Sequence, residues 1–570
     1  MRRYFSLFLV SLLLLSASAS AQVTLTINGV DGALRNNIDA HLSSIDSKDY
    51  STSLRFRSRI EESITQAMNA LGYYHPEIDF EILNDAQELV VNISRGPVAT
   101  LRRVDIVISG DAQQDEEFKT LIENSPLHVG AILNHQDYDN LKSSIQSLGL
   151  NRGYFNATFS QSRLAVSPET NQAFVTLHYD SGARFRYGDI TINGSQIDEK
   201  RVRSLMPFEQ GEPYLVSDIG EFNQRLSNTE WFSSILIQPQ LDSLEGRSDL
   251  PMDISLAPAA RNQLETGLGY STDVGVRGSL SWKKPWLGST GHSLDTSLTL
   301  SQPEQTVTAS YKIPLSDVLN QYYLIDYGLK NVDSLDTQSL ESNLSLKRFW
   351  HLDNGWNRTI SIRYLIENYE QGVIDDIAHF VLPGVTFSRT RSRGQRLINW
   401  GDKISVTAEY GNQDMFSDTE VLRLLGSASL INTFDDSHRV LLRANGGANI
   451  MDDYSEISPS LRFFAGGDNS IRGYGYESIS PTDSSGELAG AKFLTTASVE
   501  YQYQVYGNWW IAAFYDLGDA FDDKPDWKRG QGIGLRWVSP IGPLRLDFAK
   551  GLDADPGDQF RIHFTIGPEL

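Results

Sequence analysis

The sequence predicts three tandem α+β repeats followed by an all-β, 16-stranded transmembrane barrel. Three observations predict it. A strand-helix-helix-strand-strand pattern recurs about every eighty residues in the first half. From about Asn262 the helical period gives way to strict apolar–polar alternation. Within that alternating half, a long connection sets one arginine, Arg472, among the glycines of residues 466–476.

The N-terminus reads as an export signal. Arg2 and Arg3 precede an apolar run from Phe5 to Leu15, and Ala19-Ser20-Ala21 follows. This is the pattern of a secretory signal peptide over 1–21, with the mature chain expected from Gln22. The run is too short to span a bilayer, and no later segment approaches the roughly 18 apolar residues of a membrane helix. The 570 residues contain no cysteine, which excludes disulfide and thiol chemistry. A net charge of −23 argues against general nucleic-acid binding, which needs a basic surface. It is compatible with a membrane barrel, where only alternate residues meet lipid.

The repeats open with strands at 23–29, 104–110 and 189–194, each closed by a glycine: Gly29, Gly110 and Gly194, 81 and 84 residues apart. A second landmark follows a helical run in each. Leu71-Gly72-Tyr73-Tyr74 ends a helix whose apolar residues fall at 60, 64, 68 and 71, a 3.6-residue stripe. Arg152-Gly153-Tyr154-Phe155 holds the same place in the second repeat, and Glu230-Trp231-Phe232, without the glycine, in the third. A glycine there supplies a left-handed helix cap. These residues read as core and cap rather than as a chemical site. The implied domains are 22–98, 99–181 and 182–261, then a barrel over 262–570.

In the barrel half, residues 404–410 carry apolar side chains at even numbers, and residues 493–505 carry them at odd numbers. One face suits lipid and the other a wet lumen. About sixteen such segments fit into 262–570 at about nineteen residues each, enough for a membrane strand of roughly 9–11 residues plus its connection. Trp282, Trp286, Trp356, Trp509 and Trp510 lie near segment ends and are expected to form interfacial girdles.

The repeats resemble POTRA domains, the periplasmic modules of outer-membrane assembly factors. Ile471-Arg472-Gly473-Tyr474 resembles the [V/I]-R-G-[F/Y] motif of the POTRA–barrel superfamily, in which it sits on an extracellular loop folded into the lumen. Tyr515-Asp516-Leu517-Gly518 and the run Gly532-Ile533-Gly534-Leu535-Arg536-Trp537 match further motifs of that family. The resemblance implies that Arg472 contacts Asp516 and pins the 452–492 loop, so that Arg472, Gly473, Tyr474, Asp516 and Gly518 form a latch. Parity agrees: Trp509, Ile511, Ala513 and Tyr515 would face lipid and leave Asp516 inside. An arginine is suited to this because its planar fork is permanently charged.

Closure must join the first strand, Gln263–Ser271, to the last, over 558–566. Gly267 and Gly269 weaken the first. Gly567 and Pro568 interrupt pairing just after Phe564 and Ile566. Their meeting suggests a lateral seam through which client strands pass. The last aromatic, Phe564, stands six residues before Leu570, earlier than the family's usual terminal aromatic. Three modules and a barrel resemble the TamA branch of the superfamily. That implies a TamB-like inner-membrane-anchored partner, unfolded autotransporter and outer-membrane protein clients, and contact with outer-membrane lipids. A two-partner-secretion-type pore and a lipid conduit are the alternative readings. No cofactor, metal site or catalytic group is expected, because there is no G-x-S-x-G elbow and the ten histidines lack metal-ligand spacing. His563 reads as a lumen residue.

Overall fold

The structure is a computed structural model. It describes residues 23–566 except 86, 242–247, 373, 395–396, 453 and 541, so the predicted signal peptide and the seam residues Gly567 and Pro568 lie outside the described residues.

The first module is β1 (Thr24–Asn28), α1 (Gly32–Leu42), α2 (Leu54–Ala70), β2 (Glu77–Leu83) and β3 (Glu88–Ser94). The second is β4 (Thr100–Ser109), α3 (Glu116–Glu123), α4 (His135–Asn151), β5 (Thr158–Ser167) and β6 (Gln172–Asp180). The third is β7 (Arg186–Asn193), α5 (Glu199–Arg203), α6 (Val216–Asn228), β8 (Phe232–Pro239) and β9 (Asp249–Pro258). Each sheet places its last strand in the middle, in the orders β1-β3-β2, β4-β6-β5 and β7-β9-β8.

The helices form where caps and stripes agree. Ser53 accepts from the Phe56 amide to start α2, which buries Phe56, Ile60, Ile64 and Met68 against the sheet. Asn134 starts α4 in the same way, with Tyr138, Leu141 and Ile145 turned inward. A cap of this kind contributes about 1 kcal/mol.

The second landmark explains its own sequence. Gly72 and Gly153 take φ of 89° and 82°, and Glu230 holds the left-handed region at φ 59° although it is not glycine. The backbone geometry of the repeat therefore survives the loss of its glycine. Glu230 also pairs with Lys283 at 2.6 Å.

The chain forms two compact units: one up to Ile190 with Phe208–Ile219 and Pro239–Met252, the other Thr191–Pro207, Gly220–Gln238 and Asp253 onward. Within the first, Phe155 packs on Phe185 and Tyr214, and the Gly153 carbonyl accepts from the Phe185 amide. Within the second, parts of the third module grip the barrel's periplasmic turns. The Trp231 indole donates to the Gly291 carbonyl at 3.1 Å, Arg201 donates to the Pro314 and Leu315 carbonyls, and the Asp198 amide donates to Ser289.

The barrel consists of β10 (Gln263–Ser271), β11 (Gly275–Leu287), β12 (His292–Leu300), β13 (Glu304–Pro314), β14 (Gln321–Ser334), β15 (Thr337–His351), β16 (Asn357–Gln371), β17 (Ile374–Arg393), β18 (Trp400–Gly411), β19 (Val421–Phe434), β20 (His438–Ile450), β21 (Phe493–Tyr506), β22 (Trp509–Phe521), β23 (Lys528–Ser539), β24 (Gly542–Gly551) and β25 (Phe560–Ile566). These sixteen strands close, each antiparallel to its neighbour in chain order. Closure satisfies backbone donors and acceptors that lipid cannot. Among the described residues no helix is long and apolar enough to cross a membrane.

Parity is clean on β21 and β22. Val499, Tyr501, Ile511 and Tyr515 face outward, while Ser498, Glu500, Gln502, Phe514 and Asp516 are buried inside. Two of the five expected girdle tryptophans depart from the expectation. Trp510 is buried in the lumen, because it neighbours outward Trp509 and a strand alternates its side chains. Trp286 is also buried: its indole donates to the Ala259 carbonyl and Arg261 covers its ring. The last strand begins at Phe560, two residues later than expected.

Candidate functional site: a latched lumen loop and a thin seam

The 451–492 connection between β20 and β21 folds back into the barrel. Its residues Ile457, Leu461, Phe463, Ile471 and Tyr474 are buried. It is tied to the far wall by Arg462, which donates to Gln371 at 2.6 Å, and by the Ser460 amide, which donates to Glu367.

Arg472 lies at the loop's innermost contact, 1% exposed, beside Asp516 at 0%. Its Nε is 2.8 Å from Asp516 Oδ2 and its Nη2 is 2.9 Å from Oδ1, a bidentate fork, and its own amide donates to Oδ2 at 3.0 Å. Nη1 reaches Glu500 at 2.6 Å and Asp547 at 3.3 Å. The guanidinium also sits 3.4 Å from the centre of the Phe514 ring. Arg536 completes the cluster, with contacts of 2.8 Å to Glu500 and 2.6 Å to Asp547. Arg443 adds a third cation nearby, donating to Asn469 and Ser498. Three buried carboxylates and two buried guanidiniums, Arg472 and Arg536, thus share one cluster, and each has the counter-charge that burial demands.

The wall is shaped to receive the loop. Gly473 has φ 96° and its backbone lies on Gly551; a Cβ there would stand 2.4 Å from the Gly551 amide. Opposite Asp516 in the ladder is Gly530, where a Cβ would fall 2.0 Å from the Arg472 carbonyl. Tyr474 closes the segment: its hydroxyl accepts from the Asp553 amide at 3.1 Å. Gly518 lies against β21, where a Cβ would meet the Thr495 carbonyl at 2.5 Å.

Among the described residues the seam is short: β10 and β25 share one register pair, Ser271 with Thr565, whereas β10 and β11 pair from Gln263 to Ser271 and β24 and β25 from Leu544 to Lys550. Beside it the Thr272 amide donates to the Phe564 carbonyl at 3.1 Å, and the Phe564 amide donates to Thr272 Oγ1. Tyr270 and Phe564 rings meet at 6.0 Å. Gly267 and Gly269 pair with Ser279 and Arg277 on β11 and have no partner on β25 among the described residues. Ile566 pairs with Leu544 on β24.

Sequence reasoning did not single out Glu500, Asp547, Arg536 as a counter-charge, or Asp468. A signal for the first existed: the parity that puts Asp516 inside also puts Glu500 inside. His563 is buried as a lumen residue.

A closed sixteen-stranded barrel with POTRA-type modules and an arginine-latched inner loop defines the POTRA–barrel class of outer-membrane proteins, the modules lying in the periplasm. The family model described as the Omp85 superfamily domain matches residues 397–569, POTRA domain TamA domain 1 matches 24–95, and a POTRA model, surface antigen variable number repeat, matches 104–182. The chain thus carries an Omp85 superfamily domain preceded by POTRA domains. It is 23% identical over 438 residues to the outer membrane protein assembly factor BamA of Nitratidesulfovibrio vulgaris, covering 71% of this chain and 54% of that protein. It thus spans about half the length of that relative. It is 21% identical to the BamA of Neisseria meningitidis, over 89% of this chain and 72% of that one. The fold is similar to Haemophilus ducreyi BamA lacking POTRA domains 1–3, with a TM-score of 0.70 at 15% identity, covering 82% of this chain and 99% of that one.

Proposed function

We propose that this chain is an assembly factor that inserts or translocates outer-membrane proteins through its lateral seam. The observation that carries the reading is the seam itself: among the described residues, β10 and β25 share a single register pair, Ser271 with Thr565. An unpaired strand edge offers backbone donors and acceptors to an incoming strand. The relatives named as assembly factors support the same reading. Arg472, Gly473, Tyr474 and Asp516 act as a structural latch that keeps the loop in the lumen, with Gly518 part of the wall behind it.

The narrower reading is a TamA-type role, supported by the match of the first module to the TamA-type POTRA model. In that role a TamB-like inner-membrane-anchored partner engages the periplasmic side, and autotransporters are among the clients. The loop filling the lumen disfavours a passive pore.

Reconstitution in liposomes with an unfolded autotransporter client tests the function. Protease-protected, membrane-integrated client is expected with the full chain and is expected to fall when the three modules are removed. Ion conductance without client integration would overturn the proposal and favour a passive pore.

A further inference from the structure

We infer that Asp468 of the lumen loop is a clasp that holds the two sides of the seam together, so that the loop's position governs whether the seam opens. The geometry joins three pieces of chain that are far apart in sequence. On the β25 side, Asp468 accepts from His563 Nδ1 through Oδ1 and from Thr565 Oγ1 through Oδ2 at 3.0 Å. On the β10 side, its own amide donates to Asp273 Oδ2 at 2.7 Å, and Asp273 lies in the turn between β10 and β11. One loop residue therefore touches both flanks of the joint, four residues before the latched arginine.

The surroundings make the clasp tight. Gly467 lies flush on Asp273, where a Cβ would stand 2.6 Å from Oδ2. The Gly473 amide donates to His563 Nε2 at 3.0 Å. All three clasp side chains are at most lightly exposed, at 12% for Asp273 and 4–5% for His563 and Asp468. Hydrogen bonds involving a charged group are stronger than neutral ones, which matters where the backbone ladder supplies one register pair among the described residues.

Asp273, Asp468 and His563 also have the donor types of a cation site. The hydrogen-bond pattern argues against that use. Nε2 accepts from the Gly473 amide, so the proton of a neutral imidazole is on Nδ1, where it is donated to Asp468. No ring lone pair then remains for a metal. The cluster is a hydrogen-bonded fastening between strand, loop and turn.

The clasp concerns seam opening in the free protein, so its test does not depend on the insertion role proposed above. The chain is free of cysteine, and spin labels placed at Leu268→Cys and Ile562→Cys report the seam width in full-length protein in lipid nanodiscs. With Asp468→Ala, the distance distribution is expected to broaden and move outward by at least one strand spacing, about 5 Å. Asp483→Ala, at a loop site whose side-chain hydrogen bonds among the described residues go to Ser485 and Glu487, is expected to leave it unchanged. Thr565→Val removes one of the two β25 contacts and is expected to give a smaller outward shift; it is read in the same way if Asp468→Ala yields no folded barrel. A distribution for Asp468→Ala, or for Thr565→Val in its stead, that matches the parent protein overturns the clasp.

Discussion

Arg472 answers to three carboxylates, and that arrangement sets what its substitutions do. Arg472→Ala strands buried Asp516, while Arg536 still holds Glu500 and Asp547, and breaking a buried pair by removing one partner costs about 3–5 kcal/mol. Asp516→Asn is expected to cost less, because Glu500 and Asp547 still hold the guanidinium. Heat-modifiable mobility of the folded barrel against urea ranks the two; equal losses would contradict a shared counter-charge. A second residue-scale prediction concerns acid. Burial opposes ionisation of Asp115, but the hydrogen bond from Arg152 at 2.7 Å, the Glu117 amide and the Arg152 charge together hold its carboxyl below the ordinary value. A depressed folded value means that the ionised form stabilises the fold. This contribution is complete above the unfolded carboxylate pKa, about 3.9, and is lost as pH falls through the lower folded value. The helical circular-dichroism melting point is expected to drop below about pH 4, and Asp115→Asn to flatten that drop.

At the scale of elements, the latch depends on glycines that let one backbone lie on another. Gly530→Val places side-chain carbon where the Arg472 carbonyl sits, so the 451–492 loop is expected to leave the lumen and become sensitive to added protease in intact membranes. Loop protection equal to the parent's would refute the close fit. Much at this scale was legible in the sequence, because alternation and the 3.6-residue stripe are local signals. The strand count, the inward side of Asp516 and the repeat of three sheets follow from such patterns. Trp510 was misread because position near a segment end was weighed above parity. Trp286 was misread because its cover, Ala259 and Arg261, comes from the chain just before the barrel. The Glu500, Asp547 and Asp468 contacts bring together residues from separate strands and the loop, and such proximity depends on barrel register, which no local pattern encodes. The backbone at Glu230 shows the converse: the left-handed turn persists without the glycine that marks it elsewhere.

At the scale of the molecule, the β10–β25 joint is the shortest ladder of the barrel among the described residues. A strand in lipid with unpaired backbone is costly, since each unsatisfied group loses several kcal/mol. In the proposed insertion role, the edge of β10 exposed when the seam opens would pair with an incoming strand, while the latched loop and its clasp would hold the β25 side in place. This connects the thin joint to protein insertion. The most direct test is a reversible lock on that joint: Thr272→Cys with Phe564→Cys, at the positions whose backbones already meet, in the otherwise cysteine-free chain. Under oxidation, client integration in liposomes is expected to stop, and reductant is expected to restore it. Integration at the parent rate with the disulfide formed would contradict an insertion route through the seam.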